Sequence, residues 1–100
     1  MIKHIVMWKI KDECDGMNKK EMMNTISEKL ASLKGKIKEI IDIEVGPGLT
    51  NGEMNYDMGL IVTLNSLEDL PLYINHPEHL KVREFISKVR LARTTVDIEV

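Results

Sequence analysis

The residues best equipped for chemistry cluster in the run YINHPEH, residues 73 to 79. Tyr73 precedes two histidines, His76 and His79, which flank a Pro-Glu pair. A neutral imidazole accepts a proton near neutral pH, and a phenol donates a hydrogen bond to an oxygen that is gaining negative charge. A third histidine, His4, lies near the start of the chain, and Asp97 lies near its end. These types support an enolisation site with His79 as base, Asp97 orienting it through its second ring nitrogen, and Tyr73 as oxyanion donor. A structural reading competes with it. His79 and Asp97 would then form a buried hydrogen bond tying helix to sheet, and Tyr73 would be a core aromatic whose hydroxyl needs a partner. HPEH lacks the HExxH spacing of zinc ligands and no cysteine assists it, so no metal and no other cofactor is expected.

The local pattern shows what would hold these groups. Pro77 suits the first position of a helix, and His76 before it is pushed toward extended backbone. The two histidines therefore do not share a helix face; His76 caps the helix or faces solvent. Leu80, Val82, Phe85, Ile86 and Val89 give that helix its inward stripe. Ser66 and Asp69 signal a short helix over residues 67 to 74. Asp97 belongs to a closing strand, residues 93 to 100, with Thr95 and Glu99 on its face and Val96, Ile98 and Val100 on the other.

Residues 2 to 10 alternate as a strand, with Ile2, His4, Val6, Trp8 and Ile10 on one face and Lys3, Ile5, Met7 and Lys9 on the other. His4 is a satisfied core histidine or a ligand contact, and Trp8 fills the core or lines a cavity. DECDGM reads as a loop, followed by an Asn18–Glu21 capping signal and a helix whose stripe is Met22, Ile26, Leu30 and Leu33. Residues 37 to 46 form a second strand. Residues 56 to 64 form a third, with Met58, Leu60, Val62 and Leu64 on one face. His4, Trp8, Met58, Leu60 and Phe85 are the expected walls of a ligand cavity.

The order βαββαβ predicts an α+β, ferredoxin-like subunit: an antiparallel sheet with both helices on one face. The other face, carrying Ile5 and Met7, is left bare. At roughly 25 cal/mol per Å2, covering a few hundred Å2 contributes several kcal/mol before association costs. A homodimer through the sheet faces, forming an α/β barrel, is expected. The 100 residues fit one domain, residues 1 to 100. The net charge of −2 and the lack of a basic block argue against nucleic acid or an anionic membrane surface as partner. No apolar run is long enough to span a bilayer. With one cysteine, Cys14, and no signal-peptide pattern, a cytoplasmic location is expected.

HIVMWKIKD near the start, Y-x-x-HPEH after the third strand and the terminal VDIEV together resemble the stress-responsive A/B barrel domain family, over essentially the whole chain. The resemblance implies a homodimeric barrel with helices outside and a small apolar cavity in each subunit. Most members have no assigned activity; some plant members are similar to polyketide cyclases that use a tyrosine and a histidine of this motif for an intramolecular aldol condensation. By that resemblance the tyrosine is Tyr73, the motif's last histidine His79, the first-strand histidine His4 and the last-strand aspartate Asp97. Met58 stands where those cyclases can carry a further histidine. Two functions follow as expectations. The first is binding of a small apolar or aromatic molecule between sheet and helices. The alternative is a cofactor-free, polyketide-cyclase-like lyase using the His/Asp/Tyr site.

Overall fold

A computed structural model describes residues 1–100. Strand β1 (Ile2–Ile10) leads into a short hairpin, β2 (Glu13–Cys14) and β3 (Met17–Asn18), then helix α1 (Lys19–Ala31) and a 3-10 turn over Ser32–Gly35. Strands β4 (Asp42–Pro47) and β5 (Met58–Leu64) follow, then the short helix α2 (Asp69–Ile74), helix α3 (Pro77–Val89) and strand β6 (Arg90–Glu99). The four long strands form one antiparallel sheet in the order β4-β5-β1-β6. This is the ferredoxin-like α+β fold expected from the element order.

Period-two alternation in β1 decides what each face of the sheet does. Ile2, His4, Val6, Trp8 and Ile10 are all buried. They share one core with Met22, Ile26 and Leu30 of α1, Val82, Ile86 and Val89 of α3, and the alternate residues Met58, Leu60, Val62 and Leu64 of β5. On the opposite face Met7, Val96 and Ile98 are 40%, 50% and 41% exposed. Ile5 stands directly between Ile61 and Val96 in the register of that face.

Both long helices begin where the sequence signals them. Asn18 takes extended backbone, and its Oδ1 accepts from the Glu21 N–H at 2.8 Å. Glu21 Oε1 accepts in return from the Asn18 N–H at 3.1 Å, which completes a capping box. At α3, His76 is extended and its Nδ1 accepts from the Glu78 N–H at 3.1 Å.

Asp57 anchors the far end of the sheet. Its Oδ2 accepts from the Ile10 N–H at 2.7 Å and pairs with the Lys19 ammonium at 3.0 Å, while its own N–H donates to the Trp8 carbonyl at 2.9 Å. One residue thereby ties the end of β1, the start of α1 and the approach to β5.

Several local readings change. DECDGM is a hairpin rather than a loop: Asp15 and Gly16 both take positive φ, 50° and 81°, the geometry that suits an Asp-Gly turn. The second long strand starts at Asp42, because Ile37 and Ile40 are buried by turns ahead of it. α2 starts at Asp69 without a side-chain cap; Ser66 contributes its backbone carbonyl to the Asp69 N–H at 3.1 Å. On α3 the buried stripe is Val82, Ile86 and Val89. Leu80 is exposed, and Phe85 is half-buried with the Lys29 ammonium 5.6 Å from its ring centroid. No helix is long and apolar enough to cross a membrane.

Candidate functional site

Between the sheet and the α2–α3 pair lies a cavity of about 280 Å3. That is close to the lower end of the roughly 300–1,000 Å3 usual for small-molecule sites. Its floor is His4, Val6 and Trp8 of β1, Leu60 of β5 and Arg93 of β6. Tyr73 and Ile74 of α2 and Leu30 of α1 close two sides. α3 supplies His79, Val82, Arg83, Ile86 and Ser87, one continuous helical face, and Arg90 follows at its end. The cavity exists because this face is mixed. Val82 and Ile86 reach the core, while His79, Arg83 and Ser87 run beside them at four-residue spacing and do not fill the apolar space.

Tyr73 sits between the two histidines. Its ring centroid is 4.6 Å from that of His79 and 5.9 Å from that of His4, both in inclined arrangements. The tyrosine is fully buried and its hydroxyl has no hydrogen-bond partner in the protein. Burial pushes its pKa well above the ordinary phenol value, so it stays a neutral donor. A buried, unpaired hydroxyl costs about 1–3 kcal/mol.

Each histidine is fixed through one ring nitrogen. His79 Nδ1–H donates to the Ile74 carbonyl at 2.8 Å, which holds it in the tautomer whose Nε2 carries the lone pair. Burial lowers the His79 pKa; the Ile74 hydrogen bond opposes that, and His4, Arg83 and Arg93 reinforce it. The imidazole is therefore neutral at pH 7. His4 Nδ1–H donates to Asp97 Oδ1 at 2.5 Å, directly across the β1–β6 register. Neither Nε2 has a protein hydrogen-bond partner.

The structure thus brings His4, Trp8, Leu60, Tyr73 and His79 to one cavity. It does not pair Asp97 with His79. Asp97 holds His4 because strand register puts the two opposite each other, and a backbone carbonyl of α2 orients His79 instead. Met58 and Phe85 do not line the cavity. Met58 is buried near the Asp57 end of β5, and Phe85 lies over on the α1 side under Lys29. Arg83, Arg90 and Arg93 lie outside the expected site, yet all three line the cavity. Spacing signals two of them: Arg83 is one helical turn beyond His79, and Arg93 shares alternation parity with Asp97 on β6. No group of histidine, cysteine, aspartate and glutamate side chains with the geometry of a metal site is present.

Comparison with known structures agrees with the fold. A dimeric protein of unknown function with a ferredoxin-like fold from Bacteroides fragilis is 31% identical, with a TM-score of 0.86 over 99% of this chain and 95% of its own. A dimeric ferredoxin-like protein of unknown function from Thermobifida fusca is 21% identical, with a TM-score of 0.82 over 99% and 90%. Hydroxynitrile lyase from Passiflora edulis is 16% identical, with a TM-score of 0.79 over 99% and 92%. No functionally curated protein matches the chain. The family model for the stress responsive A/B barrel domain matches residues 2–100, and this chain belongs to that family.

Proposed function

We propose that this protein is a homodimeric binder of a small organic molecule, held between the sheet and α2–α3. One observation carries the reading: a cavity of about 280 Å3 with a fully buried tyrosine hydroxyl in its wall that no protein group satisfies. Buried polar groups are nearly always hydrogen-bonded, and a ligand acceptor would complete this one. A thermal-shift screen of small carbonyl and aromatic compounds tests it. A stabilising ligand should lose most of its shift in Tyr73→Phe while the variant stays folded and dimeric. Equal shifts in both proteins would place the ligand elsewhere.

The dimer rests on the uncovered sheet face around Ile5, Met7, Ile61, Val96 and Ile98, and on the dimeric state of the similar structures. Sedimentation velocity reads it directly: the wild type should run as a dimer, and Val96→Glu should shift it toward monomer. A monomeric wild type at high concentration would remove the barrel.

A second reading, cofactor-free proton transfer, is favoured by the fixed tautomer of His79. Its Nε2 would take a proton from carbon beside a carbonyl. The C–H electron pair would become the C=C bond of the enolate as the carbonyl π pair moves onto oxygen, where Tyr73 donates its hydrogen bond. The enolate carbon would then attack a second carbonyl of the same molecule, and the alkoxide so formed would take the proton back from His79 Nε2, which completes an aldol addition and restores the neutral imidazole. The likeness to a hydroxynitrile lyase is compatible with acid–base chemistry on this fold. Hydrogen–deuterium exchange at the acidic carbon of a β-keto ester checks it by NMR. Catalysed exchange should fall by about 100-fold or more in His79→Gln, and exchange at the buffer rate in the wild type would exclude the reading.

A further inference from the structure

The charge around the cavity is the reverse of the charge on the chain. The sequence has 16 acidic and 14 basic side chains and a net charge of −2. The cavity wall nevertheless contains no aspartate or glutamate, and it contains all of the arginines in the sequence: Arg83, Arg90 and Arg93. None of them forms an ion pair; every ion pair in the structure uses a lysine or His4 instead. They come from separate places: the middle of α3, the α3–β6 junction, and β6 opposite Trp8. Their convergence is a product of tertiary structure and not of a basic run.

Arginine differs from lysine in offering a planar fork of donors that matches carboxylate and phosphate oxygens two at a time. Here three such side chains line the same cavity as an apolar floor and a second, independent feature, the Tyr73 hydroxyl, which is fully buried and unpartnered. We infer that the cavity takes an organic anion, with an apolar body against Trp8, Val82 and Ile86 and a carboxylate or phosphate head held by Arg83, Arg90 and Arg93. Ser87, on the same helical face, adds a neutral donor beside them. The inference rests on the small-molecule binding reading and narrows its ligand class. An unpaired cationic cluster on an otherwise acidic protein also steers anions toward the opening.

The experiment uses octanoate, octyl phosphate and octanamide, which share a hydrocarbon body and differ in head group. Trp8 is the sole tryptophan and lines the cavity, so its fluorescence reports occupancy. Titrations are run on the wild-type protein, on Arg83→Gln and Arg93→Gln, and on Lys88→Gln, which removes a positive charge from an exposed site on α3 outside the cavity. The two arginines are exposed, so their variants should unfold at the wild-type temperature by circular dichroism. At low salt at least one anion should bind about tenfold or more tighter than octanamide. Each arginine variant should lose most of that preference and Lys88→Gln should keep it. The tighter of the two anions identifies the head group. Octanamide binding as tightly as both anions, or a preference that survives in both arginine variants, would overturn the anion assignment and leave the binding reading standing. No response of Trp8 to any of the three would overturn both.

Discussion

Helices α1 and α3 are the same length, 13 residues, start from comparable side-chain caps, and lie on the same face of one sheet, yet they do different work. α1 drives an unbroken apolar stripe, Met22, Ile26 and Leu30, into the core, continued by Leu33 in the turn that follows. Mixed contacts on α3 leave a cavity between its polar edge and β1. The difference teaches that the two βαβ halves divide labour. One is packed for stability, and the other gives up packing so that histidine, tyrosine and arginine side chains can face an open space.

The largest effect that tests this division is in the packed half. Ile26→Ala should destabilise the protein by about 2–5 kcal/mol, because a fully buried side chain leaves a new void. Ile86→Ala, which borders existing space, should cost less, nearer about 2 kcal/mol. Equal losses in urea titration would break the comparison. Next comes the β1–β6 link. Asp97→Asn should cost about 1–2 kcal/mol, discounted from the usual charge-assisted value because the Asp97 side chain is 34% exposed. Its imprint should appear at His4 in NMR, not at His79. Tyr73→Phe should raise stability by about 1 kcal/mol, since it removes a desolvated hydroxyl that has no partner. A loss of that size would show that the hydroxyl is satisfied after all.

The smallest effect is on pH dependence. The folded-state pKa of His79 lies below its ordinary value of 6.5, so the unfolded chain binds more protons as the pH falls below that value. Its contribution to stability is full above pH 6.5 and declines as the pH drops toward the folded-state pKa. His79→Gln should flatten this shallow acid slope in melting temperature.

Legibility in the sequence followed the range of the interaction. Alternation in β1, the Asn18–Glu21 cap and the Pro77 start are local, and the structure carries them as read. The placement of His4, Trp8, Leu60, Tyr73 and His79 about one cavity follows from face parity combined with the family resemblance. Asp97 pairs with His4 and not with the expected His79 because its partner is set by a strand register between residues 93 apart. No local pattern encodes that register. The backbone carbonyl of Ile74 that orients His79 has no signature in residue type at all. Spacing places Arg83 and Arg93 on the faces that carry His79 and Asp97, but nothing local marks Arg90, and the presence of all three at one cavity depends on how α3 returns into β6.

Asp57 has one more consequence. By clasping the end of β1, the first turn of α1 and the backbone of Trp8, it decouples the preceding segment, where Leu49 and Met54 are 93% and 91% exposed, from the floor of the cavity. Loop tips tolerate added length when their bases are secured. Residues 49 to 54, none of which lines the cavity, are thus the natural place to graft a tag or a reporter peptide.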